Sequence, residues 1–165
     1  MTALSSNKID VAIRTNDLRI DQLEAAIVSN LSPVECPVTH MFAKGMYIRE
    51  IFLPAGALVT SKIHKTEHPF TISKGKVLIS SGNNDWIERS APFTGITEAG
   101  TRRVVAVIDD CTWTTYHAYR SITGKENILS ADDKELIVNK IESKIIRKHT
   151  NKALNIIKKE TIWLG

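Results

Sequence analysis

The chain has 165 residues and a mass of 18.4 kDa, which is enough for one domain with a hydrophobic core and too short for two independent domains. Apolar residues make up 42% and charged residues 24% of the chain, so a wholly disordered, collagen-like or coiled-coil protein is excluded. The net charge of +4 is small and no long run of like charges occurs, which argues against extended nucleic acid as a partner.

The sequence also indicates a compartment. No apolar run reaches the length of a membrane span, and the N-terminus lacks the basic start and apolar stretch of a secretory signal. Cys36 and Cys111 are not spaced like metal ligands, which favours free thiols in a reducing environment. We therefore expect a soluble cytoplasmic protein without a membrane partner.

Residues 1–35 predict an N-terminal helical arm. Asn16 or Asp17 can cap a helix whose apolar residues recur at three-to-four spacing as far as Ile27, and Ser32-Pro33 ends it. We expect this amphipathic helix to dock on the central domain.

Residues 36–119 predict strand after strand, separated by turn signals and without an intervening helical pattern. Such a pattern indicates a mainly β fold, an antiparallel double-sheet β-barrel or jelly roll. Turns are predicted at Lys44-Gly45, Pro54-Ala55-Gly56, 81–85, Ala99-Gly100 and Asp109-Asp110. The predicted strands are Met46–Leu53, Ala57–His64, Phe70–Ser80, Trp86–Ser90, Arg102–Ile108 and Trp113–Tyr119.

Residues 120–165 predict a C-terminal helical extension. Ser130 and Asp133 have the spacing of a capping box, and apolar residues then continue the helical period past Ile141. A further short helix is predicted over Ala153–Lys159. The apolar stripe is narrow, so it can pack on the barrel or on a second copy, which leaves a homodimer or higher homo-oligomer open.

Histidines in the β zone have a spacing that resembles the first motif of the cupin family. That motif is Gly, five residues, His-x-His, three or four residues, Glu, six residues, Gly. The matching positions here, with the family's intervals, are Gly56, Lys62, His64, His68 and Gly75. Lysine therefore stands at the first histidine position and histidine at the glutamate position.

A second cupin motif is matched by spacing more than by identity. Glu98-Ala99-Gly100 precedes Arg103, which falls at the histidine position of that motif. The segments 47–56, 64–68 and 113–117 resemble small phage-encoded single-domain cupins. The resemblance covers about residues 36–119 and implies a jelly-roll barrel with a ligand or metal inside it.

The resemblance, together with strand alternation, predicts a pocket lined by Lys62, His64, His68, Arg103 and His117. The lysine and the arginine have no lone pair for a metal, and arginine can grip a carboxylate or phosphate with two donors. An anionic small-molecule ligand and no cofactor is the first interpretation, with Glu50, Glu67 or the ligand neutralising the cations. His64, His68 and His117 could instead hold a divalent transition metal such as Fe, Mn, Ni or Zn.

Three hypotheses for function follow. The first is a binding protein that holds a phosphorylated metabolite or nucleotide, which in a phage would serve to sequester it in the host cytoplasm. The second is a metal-dependent dioxygenase, isomerase or lyase. The third is a structural phage protein. Catalysis is left open, with the binding protein favoured over the enzyme.

Overall fold

The computed structural model describes residues 6–61, 66–80, 85–125, 129–143 and 153–155. Helices stand towards the two ends of the chain and strands fill the part between them. In chain order the elements are α1 (Ser6–Asn30), β1 (Pro33–Val34), β2 (Val38–Ala43), β3 (Met46–Leu53), β4 (Ala57–Thr60), β5 (His68–Ser80), β6 (Ile87–Ser90), β7 (Phe93–Thr97), β8 (Val104–Ala118), α2 (Arg120–Thr123), α3 (Ala131–Ser143) and β9 (Ala153–Asn155). None of the described helices combines the length and the apolar character that a membrane span requires.

Two long strands, β5 and β8, organise the sheet. They pair with each other, and β8 pairs on its other side with β4 through its N-terminal half and with β3 through its C-terminal half. β5 pairs likewise with β7 and then with β6. All these pairings are antiparallel. The result is two layers, β2-β3-β8-β5-β7 and β1-β9-β4-β8-β5-β6, that share the two long strands.

Side chains from both layers meet in one interior cluster. Phe70 and Trp113 reach it from the first layer, and Val77 and Val105 reach it from the second. Because successive residues of a strand point to opposite faces, each of these residues also fixes the inward direction of its neighbours two positions away. The predicted fold class is confirmed, since the chain is mainly β and forms an antiparallel double-sheet barrel with helices at its N- and C-terminal sides.

A bend in β5 and β8 carries the chain from one layer to the other. The β5–β8 register shifts between Ile72 and Val77, and Gly75, within that interval, has a φ of 95°. Extra residues of this kind bend a strand without ending its pairing.

The bend explains one wrong prediction. Asp109-Asp110 is not a turn between two strands, because β8 runs without interruption from Val104 to Ala118. Both aspartates are exposed at the bend, and Asp110 Oδ1 accepts a hydrogen bond of 2.8 Å from the backbone N–H of Ala55. A polar pair that predicts a turn in the sequence therefore lies at an irregular, solvent-exposed part of one continuous strand.

The helices cover two different parts of the barrel. Ile20, Leu23 and Ile27 of α1 pack on the outer face of the second layer, against Leu58 and Ala106 among others. Helix α3 packs on the first layer, where Ile137 and Ile141 contact the cluster that contains Tyr47 and Phe42. The predicted docking of an N-terminal helix on the barrel is thus observed.

Helix boundaries differ from the predictions at two places. α1 begins at Ser6 rather than at Asn16 or Asp17. Ala153–Asn155, predicted as the start of a short helix, is instead strand β9, which pairs with β1 and β4, while residues 156–159 lie outside the described part. Sheet pairing overrides local helix propensity there, and the C-terminal zone is therefore not helical throughout.

The capping box at the start of α3 forms as predicted. Ser130 Oγ accepts a hydrogen bond from the Asp133 backbone N–H at 3.1 Å, and Asp133 Oδ2 accepts one from the Ser130 N–H at 3.3 Å. Two N–H groups that the helix cannot satisfy internally are satisfied in this way.

Candidate functional site

Strand alternation decides the directions of two consecutive arginines just before β8. Val104 packs against α1 on the outer face, and Val105 packs in the interior cluster. Arg102 continues the outer series and Arg103 the inner series, so a shift of one residue would exchange them. Arg103 is the one that the sequence places in the pocket, and it is the one that the structure directs inward.

Arg103 lines a cleft of about 310 Å³ at the interior side of β5, β6 and β7. Its guanidinium lies over the ring of Phe70, with the Cζ atom 4.9 Å from the ring centroid. Arg89 lines the same cleft and lies over the ring of Phe93 at 4.8 Å. The two rings contact each other at a centroid distance of 5.8 Å. Two cations therefore border a cleft of mixed polar and apolar lining, and each cation lies over an aromatic face.

Burial shapes the electrostatics of this cleft. Desolvation lowers the pKa of Arg103, which means that its surroundings disfavour the positive charge. Among the described carboxylates, Glu50 accepts a hydrogen bond from Thr114 at 3.4 Å, and Glu67 is exposed. Asp85 is the carboxylate that lines the cleft, and there it accepts a hydrogen bond from Ser80 at 3.3 Å. Neither Glu50 nor Glu67, the predicted protein partners, forms an ion pair with Arg103 within the part of the chain that the structure describes.

His68 and His117 form a buried pair on the interior face of the first layer. Their ring centroids are 4.6 Å apart, and each side chain is only 4% exposed. His117 Nε2 shares a hydrogen bond of 3.0 Å with Thr115 Oγ1, and His68 Nδ1 lies 3.2 Å from the carbonyl oxygen of Thr66. His68 and His117 are 49 positions apart in sequence, and strands β5 and β8 thus bring together two of the predicted site residues.

Desolvation lowers the pKa of His68, and a hydrogen bond to Thr66 opposes that shift. The positive charge of Arg103 also lowers the pKa of His68, so the two side chains interact electrostatically. Desolvation and the charge of Arg103 favour the neutral form of the ring, which has a lone pair for a metal ion or for a hydrogen-bond donor. The histidine pair and the cleft are therefore electrostatically connected.

A metal site needs more donors than this pair supplies. Within the described residues, no three or more His, Cys, Asp or Glu side chains come together in a way that could hold a metal ion. His64, the third predicted ligand, and Lys62 both lie outside the described residues. The described donors alone do not fit a transition metal, and the nearby arginine would repel a cation.

The other histidine of the β zone has a structural environment. His40 Nδ1 is 2.6 Å from the hydroxyl of Tyr47, and the ring of Tyr47 stacks at 5.9 Å on that of His117. Tyr47 itself is fully buried beneath α3. Tyr47 therefore contacts the exposed His40 through its hydroxyl and the buried His117 through its ring.

Sequence reasoning missed several residues of the cleft. Arg89, Phe70 and Phe93 were not predicted as site residues. Arg89 and Phe70 lie on predicted strands, whereas Phe93 begins β7, a strand that the sequence did not predict. Ile87 and Arg89 lie on the same face of β6, and their pairing with Ile79 and Val77 of β5 places both side chains at the cleft. Only the pairing partner reveals this direction, because both faces of that short strand carry charged residues.

No family model matches the sequence, and no curated protein matches it. The structure is similar to that of an acetylacetone dioxygenase from Acinetobacter johnsonii, with a TM-score of 0.43 and 14% identity over 55% of this chain and 68% of that one. A cupin superfamily protein from Desulfitobacterium hafniense gives a TM-score of 0.43 and 10% identity over 53% and 80% of the two chains. The Cnp3 cupin domain of Schizosaccharomyces pombe gives 0.44 and 14% over 61% and 74%.

Proposed function

We propose that this chain is a cupin-type binding protein that holds an anionic small molecule in the cleft between Arg89 and Arg103. The observation that carries the proposal is the position of the two guanidinium groups, which line one cleft of about 310 Å³ while resting on Phe93 and Phe70. An anion placed there would accept charge-assisted hydrogen bonds from donors that are already held in place.

The energetics of Arg103 favour an anion over a neutral ligand. A buried cation is destabilised by the loss of hydration, and a negative partner offsets that loss. The lowered pKa of Arg103 reflects this desolvation. A phosphate or carboxylate would raise the pKa of Arg103 again, because it stabilises the charged form.

The size and lining of the cleft indicate the class of ligand. A volume of about 310 Å³ lies at the lower end of the range that small-molecule sites occupy. Ile79, Ile87 and Ile96 supply apolar surface beside the two arginines. A compact molecule with an anionic group and an apolar or planar body, such as a phosphorylated metabolite or a nucleotide, suits such a lining.

The biological setting belongs to the same proposal. The resemblance to small phage-encoded cupins suggests sequestration of a host metabolite in the cytoplasm, by analogy of fold alone. Free thiols at Cys36 and Cys111 are consistent with a reducing compartment.

Calorimetric titration with inorganic phosphate, citrate and adenosine 5′-monophosphate tests the proposal. We expect one of these anions to bind, with an affinity that falls as salt concentration rises. Arg103→Ala should weaken binding by about 1.5–3 kcal/mol, or about 10- to 150-fold, the range for hydrogen bonds to charged groups. Arg103→Lys should lose part of that energy, since it keeps the charge and loses the forked donor.

The matched control is Arg120→Ala, which removes the same charge at an exposed position outside the cleft. If Arg120→Ala weakens binding as much as Arg103→Ala does, the attraction comes from net charge and the cleft is not the site. If none of the three anions binds the wild-type protein, the proposal is wrong.

The second candidate is a metal-dependent enzyme, for which the histidine pair would supply two of the three predicted ligands. Burial lowers the pKa of His68, and its ring lies 4.6 Å from that of His117, so two imidazoles lie close enough together to serve a metal ion jointly. Metal analysis of the dialysed protein decides between the candidates. A stoichiometric transition metal in the wild type that is lost in His117→Ala would favour the enzyme over the anion-binding protein.

A further inference from the structure

Arg102 links helix α1 to the barrel through an ion-pair cluster in which the arginine is buried and the two carboxylates are partly exposed. Its Nη1 atom lies 2.8 Å from Asp21 Oδ1, and its Nη2 atom lies 2.9 Å from Glu24 Oε1. Thr60 donates a hydrogen bond of 2.7 Å to the same Glu24 oxygen. The Arg102 side chain is only 5% exposed, so both carboxylates act on a guanidinium that water barely reaches.

The cluster differs from an ordinary surface ion pair. Asp21 and Glu24 are three residues apart on one helix face, which lets both reach one guanidinium at the same time. A planar guanidinium held by two carboxylates has a defined orientation as well as a neutralised charge. The two ion pairs therefore link the Arg102 side chain to α1 in one orientation.

The next residue in the chain is Arg103, the arginine of the cleft. Its backbone N–H donates to Ser61 Oγ at 2.7 Å, and its carbonyl oxygen accepts from the Ser61 N–H at 2.8 Å. The Arg102–Arg103 segment is therefore held at two points. The Arg102 side chain forms ion pairs with α1 on the outer face, and the Arg103 backbone forms hydrogen bonds with Ser61, just after β4. The guanidinium of Arg103 then lies over Phe70 from a backbone that two hydrogen bonds tie to Ser61.

We propose that Asp21 and Glu24 are positioning residues for the anion site, acting through Arg102 on Arg103. Helix α1 lies outside the cleft, and its two carboxylates set the direction from which the cleft arginine enters. This inference rests on the proposed function for its effect on affinity, although the effect on Arg103 itself can be measured without any ligand.

The first measurement is the side-chain NMR signal of Arg103, assigned by its loss in Arg103→Lys. A ring at 4.9 Å shifts the guanidinium and δ-methylene protons away from their positions in an exposed arginine. In Asp21→Asn and in Glu24→Gln, which preserve side-chain shape, we expect this shift to shrink towards the exposed value. The two single variants each leave one carboxylate on Arg102, so the helix stays docked.

The second measurement is the affinity for the anion that the wild type binds best among inorganic phosphate, citrate and adenosine 5′-monophosphate. We expect each single variant to weaken binding about three- to tenfold, the scale of coupling through one intermediate residue. The control is Leu23→Ala, which removes packing from the same helix face and leaves the ion pairs in place. It should lower the melting temperature without moving the Arg103 signal or the affinity.

The outcomes separate the inference from the proposed function. An unchanged Arg103 signal in both carboxylate variants overturns the positioning role, whether or not an anion binds. A signal that Leu23→Ala moves equally overturns it as well, because loss of stability would then explain the effect. If the signal shrinks only in the carboxylate variants and no anion binds the wild type, the positioning role stands and the proposed function is wrong.

Discussion

Gly75→Ala should destabilise the barrel at the bend that joins its two layers. Gly75 has a φ of 95°, in the left-handed region where residues with a Cβ are strained. A Cβ at this position would lie 2.8 Å from the α-carbon of Cys111 and 2.9 Å from the carbonyl oxygen of Asp109, and closer still to that of Asp110. All three are backbone atoms of β8, so no side-chain rotation can relieve the overlap.

The size of the effect has two parts. The conformational strain of a residue with a Cβ in the left-handed region costs about 1–2 kcal/mol. The overlap with β8 costs a further amount of about 1–3 kcal/mol, the range for forcing an extra methyl group into a packed site. The expected total of about 2–5 kcal/mol is a large part of the stability of an ordinary domain.

Urea unfolding measured by circular dichroism gives the free energy of unfolding for each variant. The matched control is Gly100→Ala, because Gly100 has a φ of 80° and a Cβ there would meet nothing within 4 Å. The control variant therefore loses only the conformational part. The difference between the two variants should be about 1–3 kcal/mol and measures the close approach of the two long strands.

Equal losses at the two glycines would refute the argument. They would mean that β5 and β8 do not approach each other at the bend, or that the bulge opens without cost. A change in the slope of the unfolding curve for Gly75→Ala alone would point to a disturbed native or unfolded state, and the bend would then be tested by hydrogen exchange along β8.

Two further predictions concern the thiols and the pH dependence of α3. In the folded protein a thiol reagent at pH 8 should label Cys36 and spare Cys111, because burial raises the pKa of the Cys111 thiol to about 11. Equal labelling of both cysteines before unfolding would contradict the buried position of Cys111. A hydrogen bond from Lys125, followed by that from the Ser130 N–H, lowers the pKa of Asp133, so its stabilisation is present at neutral pH and is lost as pH falls through the acid range. The gap in melting temperature between wild type and Asp133→Asn should therefore narrow towards low pH, and a constant gap would contradict the capping role.

Elements with a strong local signal were predictable. Met46–Leu53 has the predicted boundaries, and the capping box of Ser130 and Asp133 forms with both hydrogen bonds. Alternation along a strand and the hydrogen bonds of a helix N-terminus depend on neighbouring residues alone, so the sequence contains them directly. The helix predicted over Ala153–Lys159 is wrong at its first three residues for the opposite reason, because Ala153–Asn155 pairs with the distant strand β4, and residues 156–159 lie outside the described part.

The site was predictable in part. The spacing of the histidines and of Arg103 predicted three site residues that the structure describes: His68, Arg103 and His117. In the structure the rings of His68 and His117 are in contact, and the charge of Arg103 affects the pKa of His68. Whether Lys62 and His64 join them is still a prediction, since both lie outside the described residues. Arg89 could not be distinguished as a cleft residue from the other arginines of the sequence, because the direction of its side chain depends on the pairing of β6 with β5.

By itself the sequence determined the mainly β character of residues 36–119, the capping box of α3 and which residues of a strand share a face, because these follow from local periodicity. Tertiary structure alone decided which of two adjacent arginines is neutralised. Arg102 meets Asp21 and Glu24 across 81 and 78 positions of sequence, whereas Arg103 meets the ring of Phe70. The physical reason is that the two side chains leave the same backbone in opposite directions, and what each one meets depends on elements that only the folded chain brings near.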